Sequence, residues 1–589
     1  MTTYIYNNVK NICRRSALLL LIPALTACVD TIILPESLTV DEDFWKSKSD
    51  VQLMVNGAYK SMISSAVIER LIVWGGLRSD EMLSTTAQIS GATSLIEDLT
   101  EINLANTQDD NTFAKWDALY AVINNCNLVL DRAEEVMTED PSYTQGDYLS
   151  DCSQMLALRS LCYFYLVRNF RDVPYTGHAF MNSSQERNLP QASPDSVLTL
   201  CINDLKTAER NALSPTAFDD WRRVGYFTRD GIQALLADIY LWRASVTHDK
   251  ADYAACDEYC AKVIESKKAQ HVVRPGVVEN KQYPLADGNN MFTSLFVRQN
   301  AEESILEMQL DGVTNSNTSF CQYFNRYSDS EARHFIYAPT IFEKGGTVYT
   351  SSSATDWRGT ENTYPDKINI GENDALEIRK FVAQDGGMLL SPSSSVGSKN
   401  RGTSQYSQNY VFYRLADVML MKAEALAGLA TDDNDREHLE AAFTLVNAVN
   451  KRAKPDESIT SGDTLKWNTY SGGISSIENL VLAERLRELA FEGKRWYDLM
   501  RYSYRHMEGV DYTKTLYDQS LGDRWAAPKT HQPMLDLMKR KLSGNGNAVA
   551  AKISDETKLY MPIPLTDLTI CPVLHQNPGY ATSDILVKN

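Results

Sequence analysis

The stretch ERLRELAFEGKRWYDLMRY, Glu484 to Tyr502, is the densest run of charge in the chain, and its reading decides the fold. Glu484, Glu488 and Glu492 recur every four residues, which stacks three carboxylates on one helical face. Such a ladder can be an acid/base constellation, a cation site or the outside of a scaffold helix. Each rung has an arginine three residues away: Arg487 after Glu484, Arg485 before Glu488 and Arg495 after Glu492. Those are the spacings of surface ion pairs, worth about 0.2–0.5 kcal/mol each, and they relieve the like-charge stack. The other face, Leu482, Leu486, Leu489, Trp496 and Met500, is an apolar stripe interrupted by Gly493. A glycine inside a helix costs about 1 kcal/mol relative to alanine, so its place here predicts close approach of a neighbour. The stretch reads as a scaffold helix with a solvated charged face.

Working outward, the same period recurs. DFWKSKSDVQLMVNGAYKSM has Ser49 or Asp50 as an N-cap and Leu53, Val55, Ala58, Tyr59 and Met62 on one stripe. FAKWDALYAVINNCNLVLDRAEEV spaces Trp116, Leu119, Tyr120, Ile123, Asn127 and Leu130 as a helix does, and MLALRSLCYFYLVRNFRDVPY follows it until Pro174. DSVLTLCINDLKTAERN and TRDGIQALLADIYLWRAS form another pair across a turn-rich segment. YVFYRLADVMLMKAEALAGLA and NDREHLEAAFTLVNAVNKRA precede the opening stretch. Trp45, Trp116, Trp242 and Trp496 lie on apolar stripes and read as core; Trp74 and Trp525 are open. Long amphipathic helices arriving two by two predict a mostly α fold with tetratricopeptide-like packing, in which each pair is buried by its neighbours.

Residues 272–405 differ: Ser, Thr, Asn, Asp and Gly are frequent, the helical period fades, and aromatic residues are interspersed. Disordered segments are aromatic-poor, so this reads as a folded, loop-rich region between a helical part at 28–271 and a second at 406–589.

The N-terminus carries an address. Lys10, Arg14 and Arg15 precede the apolar run Ser16 to Ala24, which is too short for the roughly 20 residues of a membrane-spanning helix and fits a secretory signal. Leu25-Thr26-Ala27-Cys28 resembles a bacterial lipobox, which implies removal of residues 1–27 and acylation of Cys28. Of the ten cysteines, Cys13 leaves with the signal, and those after Cys28 are scattered, with no C-x-x-C pair to hold zinc. Cys256 and Cys260, four apart in a helical stretch, read as buried thiols. The formal net charge of -18, with no basic stripe, disfavours nucleic acid. Eight histidines form no H-E-x-x-H, and no G-x-S-x-G elbow, P-loop or dinucleotide fingerprint appears, so no cofactor is expected. Whether a structural cation binds is left open.

Several segments together resemble one family, the SusD/RagB-like outer-membrane nutrient-binding lipoproteins of Bacteroidetes. In the family's order they are the lipobox, FWKSKSDVQLMVNGAY, LRSDEM at 77–82, WDALYAVINNCNLVL, ALRSLCYFYLVRNFRDVPY, ALLADIYLWRAS, YRLADVMLMKAEALAGL, the opening stretch, and LYMPIPLTDLTICPVLHQNPGY at 559–580. Cys571 is a departure, standing where the family usually has Asn before a Pro. The resemblance implies tetratricopeptide-like helix pairs scaffolding a loop-rich ligand face. It further implies a lipid-anchored, surface-exposed protein of the outer membrane, partnered with a SusC-like TonB-dependent transporter to which it delivers oligosaccharides, without catalysis. Two other classes stay open on the residues alone: a secreted glycan-degrading enzyme, which needs paired carboxylates, and a helical-repeat adaptor without glycan affinity.

A pyranose offers C–H faces that stack on aromatic rings and hydroxyls that need amide, carboxylate or guanidinium partners. The window 315–365 has both kinds of group, and within it Trp357, Tyr323, Tyr327, Tyr349, Asn325, Asp356 and Arg358 are the candidate ligand contacts. Trp357, in SSSATDWRGTENTY, is the first choice for stacking because nothing local buries it. Arg78 and Asp80, in LRSDEM, are further candidates.

Overall fold

A computed structural model describes residues 44–580 except 87–88, 90, 182–184, 186–187, 272–281, 325–334, 344–347, 350–355, 362, 371–372, 384–405, 456–463, 518–527 and 543. Helices of eight residues or more are numbered here. The first, α1 (Lys48–Met62), starts two residues earlier than its sequence suggests: Ser47 is the N-cap, and Asp50 reaches back to the Ser47 amide at 2.8 Å, closing a capping box. After α2 (Ser65–Ile72) and α3 (Thr93–Asn103) come α4 (Asp117–Glu139) and α5 (Gln145–Phe170). A second capping box, Thr144 with Asp147, starts α5. It stops at Arg171, whose φ is 64° and whose buried guanidinium is held by Asp172 and Glu556, so Pro174 lies beyond the true end.

The next helices are α6 (Pro194–Asn211), α7 (Arg229–Thr247), α8 (Lys250–Gln270), α9 (Leu415–Leu429) and α10 (Arg436–Arg452). Consecutive members pack: α4 on α5, α5 on α6, α7 on α8, α8 on α9 and α9 on α10. The fold is mostly helical, with paired helices as expected. Trp45, Trp116, Trp242 and Trp496 are core, and so is Trp74, whose indole N–H donates to the Phe113 carbonyl at 2.7 Å. Cys256 and Cys260 are buried, their sulfurs 3.9 Å apart. Among the described residues no helix is long and apolar enough to cross a membrane.

The 272–405 region holds β structure that its sequence hides. Strand β1 (Leu83–Ser84) pairs with β5 (Ile336–Pro339), β5 with β7 (Asn373–Ile378), and β7 with β6 (Thr363–Ile370), all antiparallel. The short strands β2 (Val173–Pro174) and β3 (Gln191–Ala192) pair with each other. Strand β4 (Ser304–Met308) pairs with β8 (Tyr410–Arg414), which runs directly into α9, so this pairing ties the region to the helices.

The opening stretch corrects its own reading twice. It is not one helix: α11 (Ile474–Glu488) ends, a tight turn with Phe491 at φ 68° and Gly493 at φ 69° follows, and α12 (Arg495–Tyr504) begins. A Cβ on Gly75 would lie 1.9 Å from the Gly493 carbonyl oxygen, so two backbones touch here. Nor is the carboxylate ladder on the surface. Glu484, Glu488 and Glu492 are buried, and of the three expected pairs only Glu484–Arg487, at 2.7 Å, forms. Their partners come from far away in the chain. Arg358 holds Glu484 at 2.7 Å and Glu488 at 3.0 Å; Arg414 holds Glu488 at 2.6 Å and Glu492 at 2.8 Å; Lys380 holds Glu492 at 2.6 Å. Arg485 turns instead to Asp417 and Asp498, both at 2.9 Å. Burial alone would raise these carboxyls, but the cations overcome it and hold all three below the ordinary glutamate range.

Candidate functional site

The residues singled out from the sequence do not come together as one ligand face. Tyr323 is fully buried, its ring edge-on to Phe335 at 6.1 Å. Tyr349 is buried and donates its hydroxyl to the Arg487 carbonyl at 3.2 Å. Arg358 has no exposed surface and binds Asp356 through Nε at 2.9 Å and Nη2 at 2.7 Å, besides the two glutamates of α11. Arg78 lies over the Trp496 ring at 4.4 Å and donates to the Leu559 carbonyl at 2.5 Å. Asp80 is paired with Arg495 through both oxygens, at 2.6 and 2.9 Å. Tyr349, Arg358, Arg78 and Asp80 are thus buried with their polar groups bonded to partners remote in sequence, Tyr323 is buried, and half-buried Asp356 is held by Arg358 two residues on. Trp357 is half-buried in a short helical turn, its amide donating to the Ala453 carbonyl at 3.0 Å. Asn325, Tyr327, Trp525 and Cys28 lie outside the described residues.

What the fold does assemble is a cleft of about 390 Å³ between α1, the turn 221–227 and β4, within the size range of small-ligand sites. Its floor is apolar: Met62 at the end of α1 and Ile63 just after it, Leu158 and Leu161 of α5, Leu306 and Met308 of β4. Its rim is aromatic. Trp221 is 44% exposed. Tyr226 meets Trp221 edge-on at 5.3 Å and stacks on Tyr59 at 5.0 Å, while Phe218 closes on Tyr226 at 6.3 Å.

The local sequence explains the placement. Asp220 accepts the Arg222 amide at 2.9 Å and its guanidinium Nε at 3.0 Å, which starts the one-turn helix Arg222–Gly225 just after Trp221. A Cβ on Gly225 would meet Trp221 Cε3 and Gln309 Cγ at 2.6 Å each, so only glycine lets the indole and the amide lie against that turn. Tyr226 donates to Asn56 Oδ1 at 2.7 Å, and Tyr59 donates to Gln154 at 3.2 Å while accepting the Phe227 amide at 2.8 Å. The rings are thus held by hydrogen bonds as well as by contact.

Amides surround the aromatic rim. Asn56, Gln309 and Asn315 line the cleft with Lys60, whose ammonium bonds Asn315. Asp311 Oδ1 accepts the amides of Val313, Thr314 and Asn315 at 2.8 Å each, a turn that presents Asn315; these donors hold its carboxyl below the usual range. Gln309 donates to Asn300 Oδ1 at 2.9 Å. Asn300 and Gln299 both have positive φ, 48° and 62°, a strained pair that fixes the amide. The arrangement offers an aromatic face, a dry floor and several amide groups, which suits a ring with one apolar face and a polar edge. Among the described residues no group of three His, Cys, Asp or Glu is placed to hold a metal ion.

Sequence reasoning passed over Trp221. Its signal is a tryptophan in a turn-rich linker, FDDWRRVGYF, with no helical stripe to bury it. Among the described residues of the window chosen for its aromatics, the cleft takes only Asn315.

The model of the SusD family matches residues 260–580, and a model described as starch-binding, associating with outer membrane, matches residues 42–241. SusD-like protein P38 of Formosa agariphila is 24% identical over 514 residues, spanning 84% of this chain and 91% of its own. SusD-like protein P2 of the same organism is also 24% identical, over 82% of this chain and 89% of its own. Among solved structures, a SusD homolog from Bacteroides thetaiotaomicron superposes with a TM-score of 0.66 at 18% identity, covering 91% of this chain and 98% of that one. A laminarin binding SusD-like protein gives 0.58 at 18% identity, over 91% and 100%. At these identities the superpositions show the fold alone.

Proposed function

This chain belongs to the SusD family, and on that premise we propose that it is a non-catalytic oligosaccharide-binding lipoprotein of the outer membrane, working with a SusC-like TonB-dependent transporter. The observation that carries the binding half is the exposed Trp221, backed by Tyr226 and Tyr59 and ringed by Asn56, Gln309 and Asn315. Stacking on a rigid indole removes one sugar face from water, and the amides take the hydroxyls at its edge. The membrane half rests on Cys28 behind its apolar leader, and on the description of the family model matching residues 42–241. Acylation of that cysteine would hold the protein at the outer membrane, on the cell surface, beside the transporter that internalises what it captures. Trp357 is a secondary contact in this reading, half-buried with its amide on the Ala453 carbonyl.

The test is a comparison of the protein and its Trp221→Ala variant on immobilised or soluble neutral glycans, with laminari-, malto- and xylo-oligosaccharides as the first panel. Trp221 is exposed and its loss leaves no buried cavity, so the melting temperature should hold within a degree or two. Affinity for the glycan that binds should fall about tenfold or more, equivalent to about 1.4 kcal/mol. Undiminished affinity in the folded variant would remove the cleft from the mechanism.

A further inference from the structure

A second, smaller pocket of about 200 Å³ shares no lining residue with the cleft. It opens between α11 and α13 (Gln532–Lys539), against the segment that follows β5. Its walls are apolar: Leu482 and Leu486 of α11, Leu537 of α13, and Ile341 and Val348. Its polar groups are Asn479, the guanidinium groups of Arg487, Arg495 and Arg540, and the Asp80 carboxylate.

The charges do not cancel. Arg495 and Asp80 neutralise each other through two hydrogen bonds. Arg487 gives Nε and Nη2 to Glu484 at 2.9 and 2.7 Å, while Arg358, which also holds Glu484, is shared with Asp356 and Glu488, so Arg487 is paired and has its Nη1 left to offer. Arg540 is exposed and makes no ion pair among the described residues. The acid one turn before it, Asp536, is bonded to Lys539 and Gln532, each at 2.8 Å, and offsets the Arg540 charge only from a distance. In a chain of net charge -18, a pocket whose unpaired charge is cationic is an exception to the prevailing field. Arginine is also the side chain whose fork matches both oxygens of a carboxylate. Asn479 accepts the Tyr502 hydroxyl at 2.8 Å, which leaves its Nδ2 to donate. The volume is below the range of about 300–1,000 Å³ usual for drug-sized guests, which suits a single ring rather than a chain.

We propose that this pocket is a second ligand site, selective for the carboxylate of one acidic sugar residue, with Arg540 and Arg487 receiving the anion and the leucines facing the ring. The site stands apart from the cleft, so either can fail without the other.

Calorimetric titration of the full chain in detergent, with D-glucuronate against D-glucose, tests the assignment. Glucuronate should bind at least tenfold more tightly than glucose. Arg540→Gln, at an exposed position that the fold does not need, should weaken glucuronate at least fivefold while neutral oligosaccharides bind the cleft as before. Arg540→Lys, which keeps the charge and loses the fork, should recover only part of the affinity. Equal affinity for the two sugars, no heat with glucuronate at millimolar concentration, or indifference to Arg540→Gln would overturn the proposal. Tighter binding of N-acetylglutamate than of glucuronate would also overturn it, by making the guest a peptide carboxylate.

Discussion

Arg358 has no solvent contact, and its guanidinium serves Asp356, Glu484 and Glu488 at once. A buried pair adds little relative to a well-packed apolar substitute, but removing one partner strands the other, at about 3–5 kcal/mol. Arg358→Ala is therefore expected to destabilise by about 3 kcal/mol or more, read as a lower urea midpoint. The half-buried Trp357 next to it should become more exposed, shifting its fluorescence to the red. A loss under about 1 kcal/mol would mean that Arg414, Arg487 and Arg452, which also pairs with Glu488, suffice for the carboxylates. The residue also shows where sequence reading stops. In TDWRGTEN nothing marks Arg358 as interior, because the glutamates that demand it lie 126 and 130 positions away. Local spacing pairs Glu488 with Arg485 and Glu492 with Arg495, and those spacings exist, but burial makes the choice of partner a matter of tertiary geometry. Trp221 is the converse: its exposure follows from a turn that no period describes.

At the scale of elements, helices were legible and their interruptions were not. The apolar stripe through Leu482, Leu486, Trp496 and Met500 continues across the turn at 489–494, so periodicity alone joins α11 to α12. Gly493 was legible as a point of close approach, and the structure supplies the neighbour: Gly75, which sits in the segment Val73–Leu77 after α2. Strands β5, β6 and β7 went unread because they stand among turn residues, where pairing rather than pattern makes the sheet. A pair of glycine substitutions separates contact from intrinsic preference. Gly75→Ala places a methyl against the Gly493 backbone, which cannot rotate away, and should cost at the upper end of about 1–3 kcal/mol. Gly57→Ala lies inside α1 with nothing within 4 Å of the new methyl. It should stabilise by about 0.5–1 kcal/mol through helix preference. Chemical unfolding of both variants checks the pair; equal effects would deny that the Gly75–Gly493 contact constrains the fold.

Across the whole molecule, the segments that resemble the family lie mostly in helices, and the candidate sites lie between elements far apart in sequence, which is why the family was legible and the site was not. The same separation brings acids and bases into one buried interior, whose titration gives stability a pH dependence. Asp417 is a depressed acid: burial opposes its charge, but Lys494 and Arg485 bring it down to about 2. Its contribution is present above the unfolded value near 3.9 and is lost as pH falls through about 2. Glu81 has the opposite sign. Burial raises it to about 8, against the Phe491 amide at 3.0 Å and Arg495, with Asp80 and Asp498 adding to the rise. Its Oε1 has no hydrogen-bond partner among the described residues. A raised acid stabilises fully below its unfolded value near 4.3, and that contribution drains away as pH climbs through about 8. Lys541, which donates to the Leu77 carbonyl, is brought down to about 7 by burial. Its slope lies between about 7 and its unfolded value near 10.4, so it is nearly silent from about pH 5 to 7. Within that window His531 works against Glu81: burial and the neighbouring His506 charge lower it, so lowering the pH through its range costs stability. Glu81→Gln isolates the first effect, since it keeps the shape and removes one proton. The melting temperature of the native protein minus that of the variant should rise steadily from pH 7 to pH 5. A difference that stays constant across this range would show that Glu81 is already protonated in both states or in neither.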